Sequence, residues 1–409
     1  MRTASLVIFI ICFIGNFSTL AQTPERVFRS DGGWLIHKGT DGVMLFSARS
    51  KLVSLDELAN ILGGNKPQVL DEFEDQWTKV AFTLPDQTLK INLSRFSYDS
   101  VTDFSPYLET LASNCFHGLA DGAMDDHVFN LLRQIHKSNH FYVFQSSEKL
   151  PEEIESVARQ LAGLSSSIIM IEGEIFDPKM QRLLGEESQR NAKARFPIFE
   201  SAIERKKRSM AELRRRKFDV LDMLPTIVAD EEVRFQEPEI VAKRMFCLLA
   251  VSGKASELEG FDWNALLTKH ELWDYLSPAE AKFLQNDAPD QVQVAEMTWR
   301  FESAYALYWA LGLEKDLSFP ANQIDPEKFV KSVFDNIDEL TSNAKFRPTA
   351  ELLDQIDLHY RCNWTTRNQM LDGKELKGLS PDVVYERCFA FNWLIRYLGM
   401  EWDQTVVDS

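Results

Sequence analysis

A charged residue in an otherwise apolar helix is the first feature of this sequence that could do chemistry. From Trp299 to Trp309, two stripes of helical spacing are apolar except at Glu302, so the predicted helix is apolar around most of its circumference. Such a helix lies deep inside a domain, where its carboxylate is removed from water. An isolated buried carboxylate costs several kcal/mol, so Glu302 must find a hydrogen-bond donor or take up a proton.

Two further segments supply arginines that could donate to Glu302. Arg361 precedes Trp364 by one turn of a predicted helix, and Arg387 directly follows Glu386 in another. A planar guanidinium pairs with a carboxylate through two hydrogen bonds and stacks on aromatic rings. We therefore expect a buried network of arginine, carboxylate and tryptophan centred on Glu302, Arg361 and Arg387.

Two interpretations of this network stay open. In the first it is architectural, because paired polar groups in a core fix the register of helices. In the second it lines a pocket where an arginine holds a carboxylate or phosphate ligand and a glutamate acts as acid or base. A guanidinium whose N–H groups are all paired leaves no donor for a ligand. The candidate ligand-binding residues are Trp299, Arg300, Glu302, Arg361, Trp364, Glu386, Arg387 and Trp393.

Other chemical motifs are weaker. His136 and His140 have the spacing of a metal pair, but no Glu follows His136, and His140 begins a predicted strand. The sequence has no G-x-S-x-G elbow, P-loop or G-x-G-x-x-G motif. We identify no catalytic residue and expect no metal and no cofactor. One polar loop could hold a divalent ion, although a solvated turn is favoured for its residues His117, Asp121, Asp125, Asp126 and His127.

Charge limits the classes of partner. The chain of 409 residues has 45 Lys and Arg against 62 Asp and Glu, a net charge of −17 that disfavours nucleic acid. Residues 190–217 are the exception, with eleven basic and three acidic residues. This segment could receive an anionic partner, but a solvated helix with i,i+4 ion pairs is favoured because aromatic residues suited to base stacking are sparse there.

Periodicity predicts mixed structure in the first half of the chain. Between Val43 and about Gly185, apolar residues switch between period two and period 3.6, as in α+β proteins. We expect a layer of about five strands, preceded by a small hairpin around the Ser30-Asp-Gly-Gly turn. The predicted strands are Val43 to Ala48, Lys79 to Leu84, Thr88 to Leu93, His140 to Phe144 and Ile168 to Ile171; helices follow Ser54, Asp126 and Pro151.

The second half is predicted to be almost purely helical. Seven of the nine Trp follow Leu224, and side chains of this size supply core burial. The fold class is therefore α+β, with a small mixed α/β N-terminal domain followed by an all-α helical domain. The predicted helices are Pro238 to Gly253, Asp262 to Asp274, Ser277 to Asn286, Asp290 to Leu311, Pro326 to Ser342, Thr349 to Thr366 and Pro381 to Leu398.

The N-terminus has the pattern of a secretory signal. Arg2 precedes the apolar run from Leu6 to Ile14, and small residues end at Ala21, which predicts an exported, secreted or periplasmic protein. A start near Met44 and a cytoplasmic location are the alternative. The predicted organisation is a signal peptide at 1–21, a poorly defined segment at 22–42, an α+β domain at 43–185, a basic connecting helix at 186–223 and an all-α domain at 224–409.

The helical region resembles domain of unknown function 4272, a mainly bacterial family, over about residues 224–402. The resemblance rests on ordered motifs: PEIVAKR from Pro238, WRFE from Trp299 with WALG from Trp309, LD from Leu353 with YR at Tyr360 and then Trp364, and Val384 with ER at Glu386, Ala390 and NW at Asn392. It implies no catalytic residue that could be assigned here. It also implies a cytoplasmic location, from which the leader departs.

The sequence therefore supports two hypotheses about the function of the protein. The favoured one is a non-catalytic binding or protein-interaction protein whose helical domain is organised around the buried network, because no nucleophile, metal or phosphate motif is strong. The alternative is an enzyme that acts on a small anionic substrate at the Arg and Glu cluster. The expected partners are a protein or a small anionic ligand, with no nucleic acid and no membrane span after the leader.

Overall fold

The chain forms two units, which are described separately. Contacts divide it into residues 1–199 and 200–409. The structure, a computed structural model, describes residues 29–30, 33–34, 43–49, 51–73, 75–85, 87–97, 134–135, 138–147, 150–171, 174–184, 193–260, 262–333, 337–373 and 377–407. Outside these residues lie the predicted signal peptide at 1–21, most of 22–42, the loop from His117 to His127, His136 and Cys115.

An antiparallel sheet of eight strands is the framework of the N-terminal unit, and a separate two-stranded hairpin precedes it. The hairpin confirms the prediction at the Ser30 turn. The order across the large sheet is β10-β9-β8-β3-β7-β6-β5-β4. The strands are β1 (Arg29–Ser30), β2 (Gly33–Trp34), β3 (Val43–Ser47), β4 (Gln68–Phe73), β5 (Gln76–Phe82), β6 (Ile91–Ser97), β7 (His140–Ser146), β8 (Ser167–Ile171), β9 (Glu174–Phe176) and β10 (Arg182–Leu184).

The prediction of about five strands was too low, and each omission has a physical reason. Strand β4 lies at an edge of the sheet with most of its residues exposed, so it has no apolar alternation to detect. Strands β9 and β10 have three residues each, which is too short for a periodic signal. The five predicted strands are present, and His140 does begin β7.

Two helices that lie wholly within the described residues accompany this sheet and follow their sequence signals closely. Of the helix predicted after Asp126, only residues 134–135 are described, and they are helical. Helix α1 (Leu55–Ile61) begins with a capping box in which Ser54 and Glu57 each satisfy the other's backbone N–H. Helix α2 (Ile154–Ser165) buries Val157 and Leu161 on one face and packs against β8 and β3. The core of this unit is therefore formed between one helix face and the central strands.

The C-terminal unit is helical, as predicted. Helix α3 lies within it and packs against α10, so this part of the basic segment belongs to the helical unit. None of the helices in the described ranges combines the length and apolar character that crossing a bilayer requires. The helices are α3 (Glu200–Arg215), α4 (Pro238–Ala255), α5 (Trp263–Lys269), α6 (Pro278–Gln285), α7 (Gln291–Ala310), α8 (Pro326–Val333), α9 (Ile337–Ser342), α10 (Thr349–Leu371) and α11 (Pro381–Leu394), with short 3-10 turns at Trp273–Tyr275, Tyr397–Gly399 and Trp402–Gln404.

Four of these helices form the core that positions the candidate site. Helix α4 is buried on nearly every side and packs most extensively against α7. Helix α11 packs against both α7 and α10. Charged side chains that project from α7, α10 and α11 between these surfaces are therefore withdrawn from water.

A glycine in α4 permits the close approach of α5. A Cβ at Gly253 would overlap the ring of Trp263, which is 8 % exposed and packs against α4. A Cβ built at Gly163, near the end of α2, would have no atom within 4 Å. Both glycines therefore lie within helices, but the space around them differs: Gly253 is in close contact with a ring, whereas Gly163 is exposed.

We predict opposite effects for the two glycine-to-alanine substitutions. Gly253→Ala forces α5 away and should lower the free energy of unfolding by about 1–3 kcal/mol, the usual cost of overpacking. Gly163→Ala should raise it by up to about 1 kcal/mol, because alanine is the better helix former. Calorimetric unfolding of the two variants and the wild type measures both effects. A Gly253→Ala protein as stable as the wild type would contradict the close packing.

Candidate functional site

Glu302 and Arg387 form a fully buried ion pair between α7 and α11. Both side chains are 0 % exposed, and Arg387 Nε and Nη2 lie 2.9 and 2.8 Å from Glu302 Oε2. The other carboxylate oxygen accepts the backbone N–H of Ile324 at 2.7 Å. Arg387 Nη1 donates to the carbonyl oxygen of Ser318 at 2.6 Å. The pair therefore neutralises itself and holds the connection between α7 and α8.

Arg361 does not join this pair, so the single network predicted around Glu302 was wrong. It donates from Nε and Nη2 to the two oxygens of Asp357 at 2.8 Å, within α10, and from Nη2 to the carbonyl oxygen of Pro225 at 3.1 Å. Arg361 and Asp357 are both 0 % exposed. A partner four residues away on the same helix is available before any tertiary contact forms. That spacing was visible in the sequence.

A third pair joins Arg300 of α7 to Glu386 of α11. Arg300 Nη1 donates to both carboxylate oxygens at 3.1 and 3.0 Å, and Ser303 Oγ lies 2.7 Å from Glu386 Oε2. The guanidinium lies over the ring of Phe389, 4.6 Å from its centroid. Burial raises the pKa of the Glu386 carboxyl above its usual value, and Arg300 and Ser303 oppose that shift. The Arg300 side chain is 18 % exposed, so this pair lies at the surface of the unit.

A fourth buried pair was missed in the sequence. Arg244 of α4 donates to both oxygens of Glu280 and to the carbonyl oxygen of Tyr275 at 2.9 Å, and lies over the ring of Trp402 at 4.3 Å. Glu280 also completes the capping box that begins α6 at Ser277. The capping box was readable from Ser-Pro-Ala-Glu, but nothing local to either residue shows that α4 lies beside it.

Five arginines of this unit share one bonding pattern. Each donates to a carboxylate and also to a main-chain carbonyl oxygen. This holds for Arg205 with Asp230 and Val228, Arg244 with Glu280 and Tyr275, Arg347 with Glu351 and Trp309, Arg361 with Asp357 and Pro225, and Arg387 with Glu302 and Ser318. Arg300 departs from it, because among the described residues it donates only to Glu386. Within the same described part of the chain, four exposed arginines of the basic segment likewise donate only to carboxylates: Arg208, Arg214, Arg215 and Arg216.

The three predicted tryptophans do not stack on the three predicted arginines. The rings next to Arg300, Arg361 and Arg387 are those of Phe389, Tyr360 and Tyr305. Trp393 is buried against Trp402 with ring centroids 5.3 Å apart, while Trp299 and Trp364 are half-buried. One-turn spacing places a ring on the same helix face, but the rotamer that packing selects decides which ring meets a guanidinium.

A buried histidine of α10 is a further titratable group near the pairs. His359 is 0 % exposed, and its Nδ1 lies 2.8 Å from the carbonyl oxygen of Gln355. A carbonyl only accepts, so Nδ1 carries the proton, and Nε2 is left buried without a partner. Burial, and then the positive charge of Arg387, lowers the pKa of His359 to about 3. The ring is therefore neutral at physiological pH.

The basic helix α3 uses most of its charges within the unit. Lys206 Nζ donates to the carbonyl oxygens of Asp222 and Leu224, while Arg208 pairs with Asp354 at 2.6 Å. Glu212 binds both Arg215 and Arg216, which lowers its pKa to about 2. These bonds support the prediction of a solvated, internally paired helix over that of a surface for an anionic partner.

The described residues contain no three His, Cys, Asp or Glu side chains arranged to hold a metal ion. Cys247, Cys362 and Cys388 are free and buried, as expected for thiols that act as small apolar side chains. Burial raises the pKa of Cys247 to about 12 and also raises the pKa values of Cys362 and Cys388 above that of a free thiol. None of the three is a thiolate at neutral pH, so none is activated as a nucleophile or ligand.

Comparison with known proteins confirms the family resemblance. The sequence model of the family described as Domain of unknown function (DUF4272) matches residues 205–405, which is almost the whole helical unit. No curated protein and no solved structure matches the chain.

We predict that removing one member of the buried pair is far more damaging than removing both. Arg387→Met leaves the Glu302 carboxylate without its guanidinium and should cost about 3–5 kcal/mol of unfolding free energy. Arg387→Met with Glu302→Leu should recover at least half of that loss, since no buried charge remains. Urea denaturation of the four proteins of this double-mutant cycle measures the coupling.

The matched control is Arg208→Met, which removes an arginine from a pair whose two side chains are 55 % and 40 % exposed. It should cost less than about 1 kcal/mol. Similar losses for Arg387→Met and Arg208→Met would contradict the closed geometry of the Glu302 pair.

The buried histidine predicts a pH dependence of known sign. Because its pKa is lowered to about 3 in the fold, the unfolded chain binds a proton below about 6.5 that the folded chain does not. Stability should therefore fall as pH falls, by about 1.4 kcal/mol per pH unit below 6.5. His359→Gln removes this slope, so wild-type and variant unfolding free energies should diverge between pH 7 and 5. Parallel pH profiles would contradict a buried neutral imidazole.

Proposed function

Since residues 205–405 form a DUF4272 domain, whose family description assigns no activity, we propose that the protein is a non-catalytic binding or protein-interaction protein. In this proposal the buried arginine and carboxylate pairs are architectural. They hold helices and connecting segments in one arrangement, and the surfaces of that arrangement bind the partner.

The observation that best supports the proposal is that both carboxylate oxygens of Glu302 already accept hydrogen bonds. A general acid or base must exchange a proton with a ligand within hydrogen-bond reach. Glu302 is 0 % exposed, and its two oxygens are occupied by Arg387 and by the backbone N–H of Ile324. A ligand would have to displace both donors from a carboxylate that is buried and has no access to water.

Two surface depressions of the described residues lie away from the predicted cluster. One depression of about 240 Å³ lies beside Glu152, Glu155 and Arg159 in the N-terminal unit. Another, of about 250 Å³, lies between Glu257 and Glu327 in the helical unit. Neither is lined by a residue of the predicted cluster, and both are at or below the size of ordinary small-molecule pockets, about 300–1,000 Å³.

A thermal-shift screen tests the proposal against the enzyme alternative. Wild-type protein is heated with small dicarboxylates, phosphate-bearing metabolites and divalent metals at millimolar concentration. We expect no shift above about 1 °C, whereas a ligand at a hundred times its Kd would add about 2.7 kcal/mol and several degrees. The same screen on Arg300→Gln, which alters the one predicted arginine that reaches the surface, identifies where any ligand binds, with Arg208→Gln as the matched control.

One pattern would replace the proposal with the alternative. In that pattern, an anionic compound raises the melting temperature of the wild type and of the Arg208→Gln variant. It does not change the melting temperature of the Arg300→Gln variant. The variants Arg361→Ala and Arg387→Ala extend the comparison to the buried pairs, provided that their circular dichroism spectra show native helix content.

A further inference from the structure

One buried arginine of the N-terminal unit has no carboxylate partner. Among the described residues five arginines are buried, and four of them, all in the helical unit, pair with Asp or Glu: Arg205, Arg244, Arg361 and Arg387. The fifth, Arg95 of β6, is 5 % exposed and forms no ion pair with a described residue. A buried guanidinium without a counter-charge destabilises a fold, so Arg95 is an exception that calls for a partner.

The hydrogen bonds of Arg95 are also incomplete. Its Nη1 lies 3.4 Å from Oε1 of Gln76, which is a long contact to a neutral acceptor. Its Nε is buried without a partner, and Nη2 donates to none of the described residues. The ring of Trp77 lies 5.3 Å from Cζ and offsets part of the cost of the charge, but it leaves the N–H groups without an anionic acceptor.

A second unused donor lies directly across the sheet. Tyr142 of β7 is the register partner of Arg95, and such partners have Cβ atoms about 5 Å apart. Its hydroxyl is buried without a hydrogen-bond partner. Burial raises the pKa of Tyr142 to about 12, so the phenol keeps its proton and can donate it. Its ring lies 6.2 Å from that of Trp77, so the three side chains form one cluster that lacks an acceptor.

The cluster meets the surface at Gln76. This residue is exposed, and its amide oxygen reaches Nη1 of Arg95, so the Nη end of the guanidinium lies one side chain below solvent. Phe73 of β4 is the register partner of Gln76 and is 57 % exposed. A molecule that displaces the Gln76 amide therefore meets the guanidinium at one end and an exposed aromatic ring beside it.

The charges of the cluster favour a ligand with a single negative charge. The other charged groups that interact with Tyr142, Arg49 and Glu57, pair with each other at 3.5 Å. Only the positive charge of Arg95 is left without a counter-charge, and one carboxylate neutralises it. A carboxylate also has the planar shape that accepts two N–H groups of a guanidinium. A dicarboxylate or a phosphate dianion would bring a second negative charge for which the cluster has no cation.

We propose that Arg95, Tyr142 and Trp77 form a binding site for a small monocarboxylate with an apolar body. The carboxylate replaces the Gln76 amide and accepts from the Nη end of Arg95 and from the Tyr142 hydroxyl, while the apolar body covers Phe73. The site lies within the N-terminal unit and is separate from the function proposed for the helical unit.

Butyrate, benzoate and phenylacetate are the probes, and benzamide is the control because it has the shape of benzoate without its charge. Ligand-observed NMR titrations of the full chain at constant ionic strength give the dissociation constants. We expect saturable binding of the carboxylates and at least tenfold weaker binding of benzamide than of benzoate, since hydrogen bonds to a charged acceptor are the stronger ones. Saturable binding of none of the three carboxylates, or equal affinity for benzoate and benzamide, would overturn the proposal.

Arg95→Met separates a binding role from a structural one. It removes a buried charge that has no counter-charge, so benzoate binding should be lost while the melting temperature of the ligand-free protein stays equal or rises. A melting temperature that falls as far as that of Arg387→Met would overturn the proposal, because Arg95 would then be structural. Arg182→Met is the matched control. Arg182 lies on β10 at the far edge of the sheet and pairs with Glu174 at 2.7 Å, so its loss should leave benzoate affinity unchanged.

Gln76→Glu tests the site without removing Arg95. A carboxylate of the same shape beside Nη1 supplies the missing counter-charge within the protein, so the melting temperature should rise and benzoate should bind at least tenfold more weakly. Gln160→Glu adds the same charge to the exposed surface of α2 and should change neither quantity. Tyr142→Phe keeps the ring but loses the donor, and it should weaken benzoate about threefold. Benzoate affinity that Gln76→Glu leaves unchanged would show that the ligand does not bind at Arg95 and would overturn the site.

Discussion

The requirement that every buried charge be paired is the constraint on which the helical unit depends. Arg361 and Arg387 are fully withdrawn from water, and Arg244 nearly so. Removing a guanidinium from water costs several kcal/mol, which a single carboxylate offsets only when the geometry is good and the remaining donors are used. Here each of the three also donates to the carbonyl oxygen of a connecting segment, while Arg361 Nη1 and Arg244 Nε are buried without a partner. The helices and the segments between them are therefore stabilised by the same side chains.

The hydrogen bonds of the Glu302 carboxylate also affect its chemical reactivity. A carboxylate held by a guanidinium and a backbone N–H, as Glu302 is, stabilises the fold because its bonds are complete. Under the proposed function, these bonds also keep Glu302 from exchanging a proton with a ligand. Arg300 differs because it belongs to the Arg300–Glu386 pair, which lies near the surface. Its side chain is 18 % exposed. Unused donors are nevertheless present in the core as well, because Nη1 of the fully buried Arg361 has no partner.

The N-terminal unit is organised by a different principle. Its core consists of apolar side chains between α2 and the central strands of an antiparallel sheet, and its strands were predicted where one face is buried. At the edge, β4 exposes acidic Asp71 and Glu72 and contains two irregularities in its pairing with β5. Charges and bulges on an edge strand oppose pairing with other chains.

Local signals in the sequence determined the class and order of elements. Apolar periodicity, capping residues such as Ser54 and Ser277, and the apolar circumference of the helix around Glu302 each depend on neighbours within a few residues. The burial of Glu302 and its need for a donor followed directly from that pattern. The spacing of Asp357 and Arg361, four residues apart on one helix, also predicts the pairing that the structure has, without any tertiary network.

The tertiary structure alone decided which partners meet across helices. Arg387 with Glu302 and Arg244 with Glu280 join residues 85 and 36 positions apart, and no local property distinguishes the arginine that is chosen. The short strands β9 and β10 and the exposed strand β4 form because neighbouring strands supply their hydrogen bonds, which is a property of the assembled sheet. Periodicity shows which side of a helix or strand is buried. Which other helix or strand packs against that side depends on the tertiary fold, because the contacting residues are far apart in the sequence.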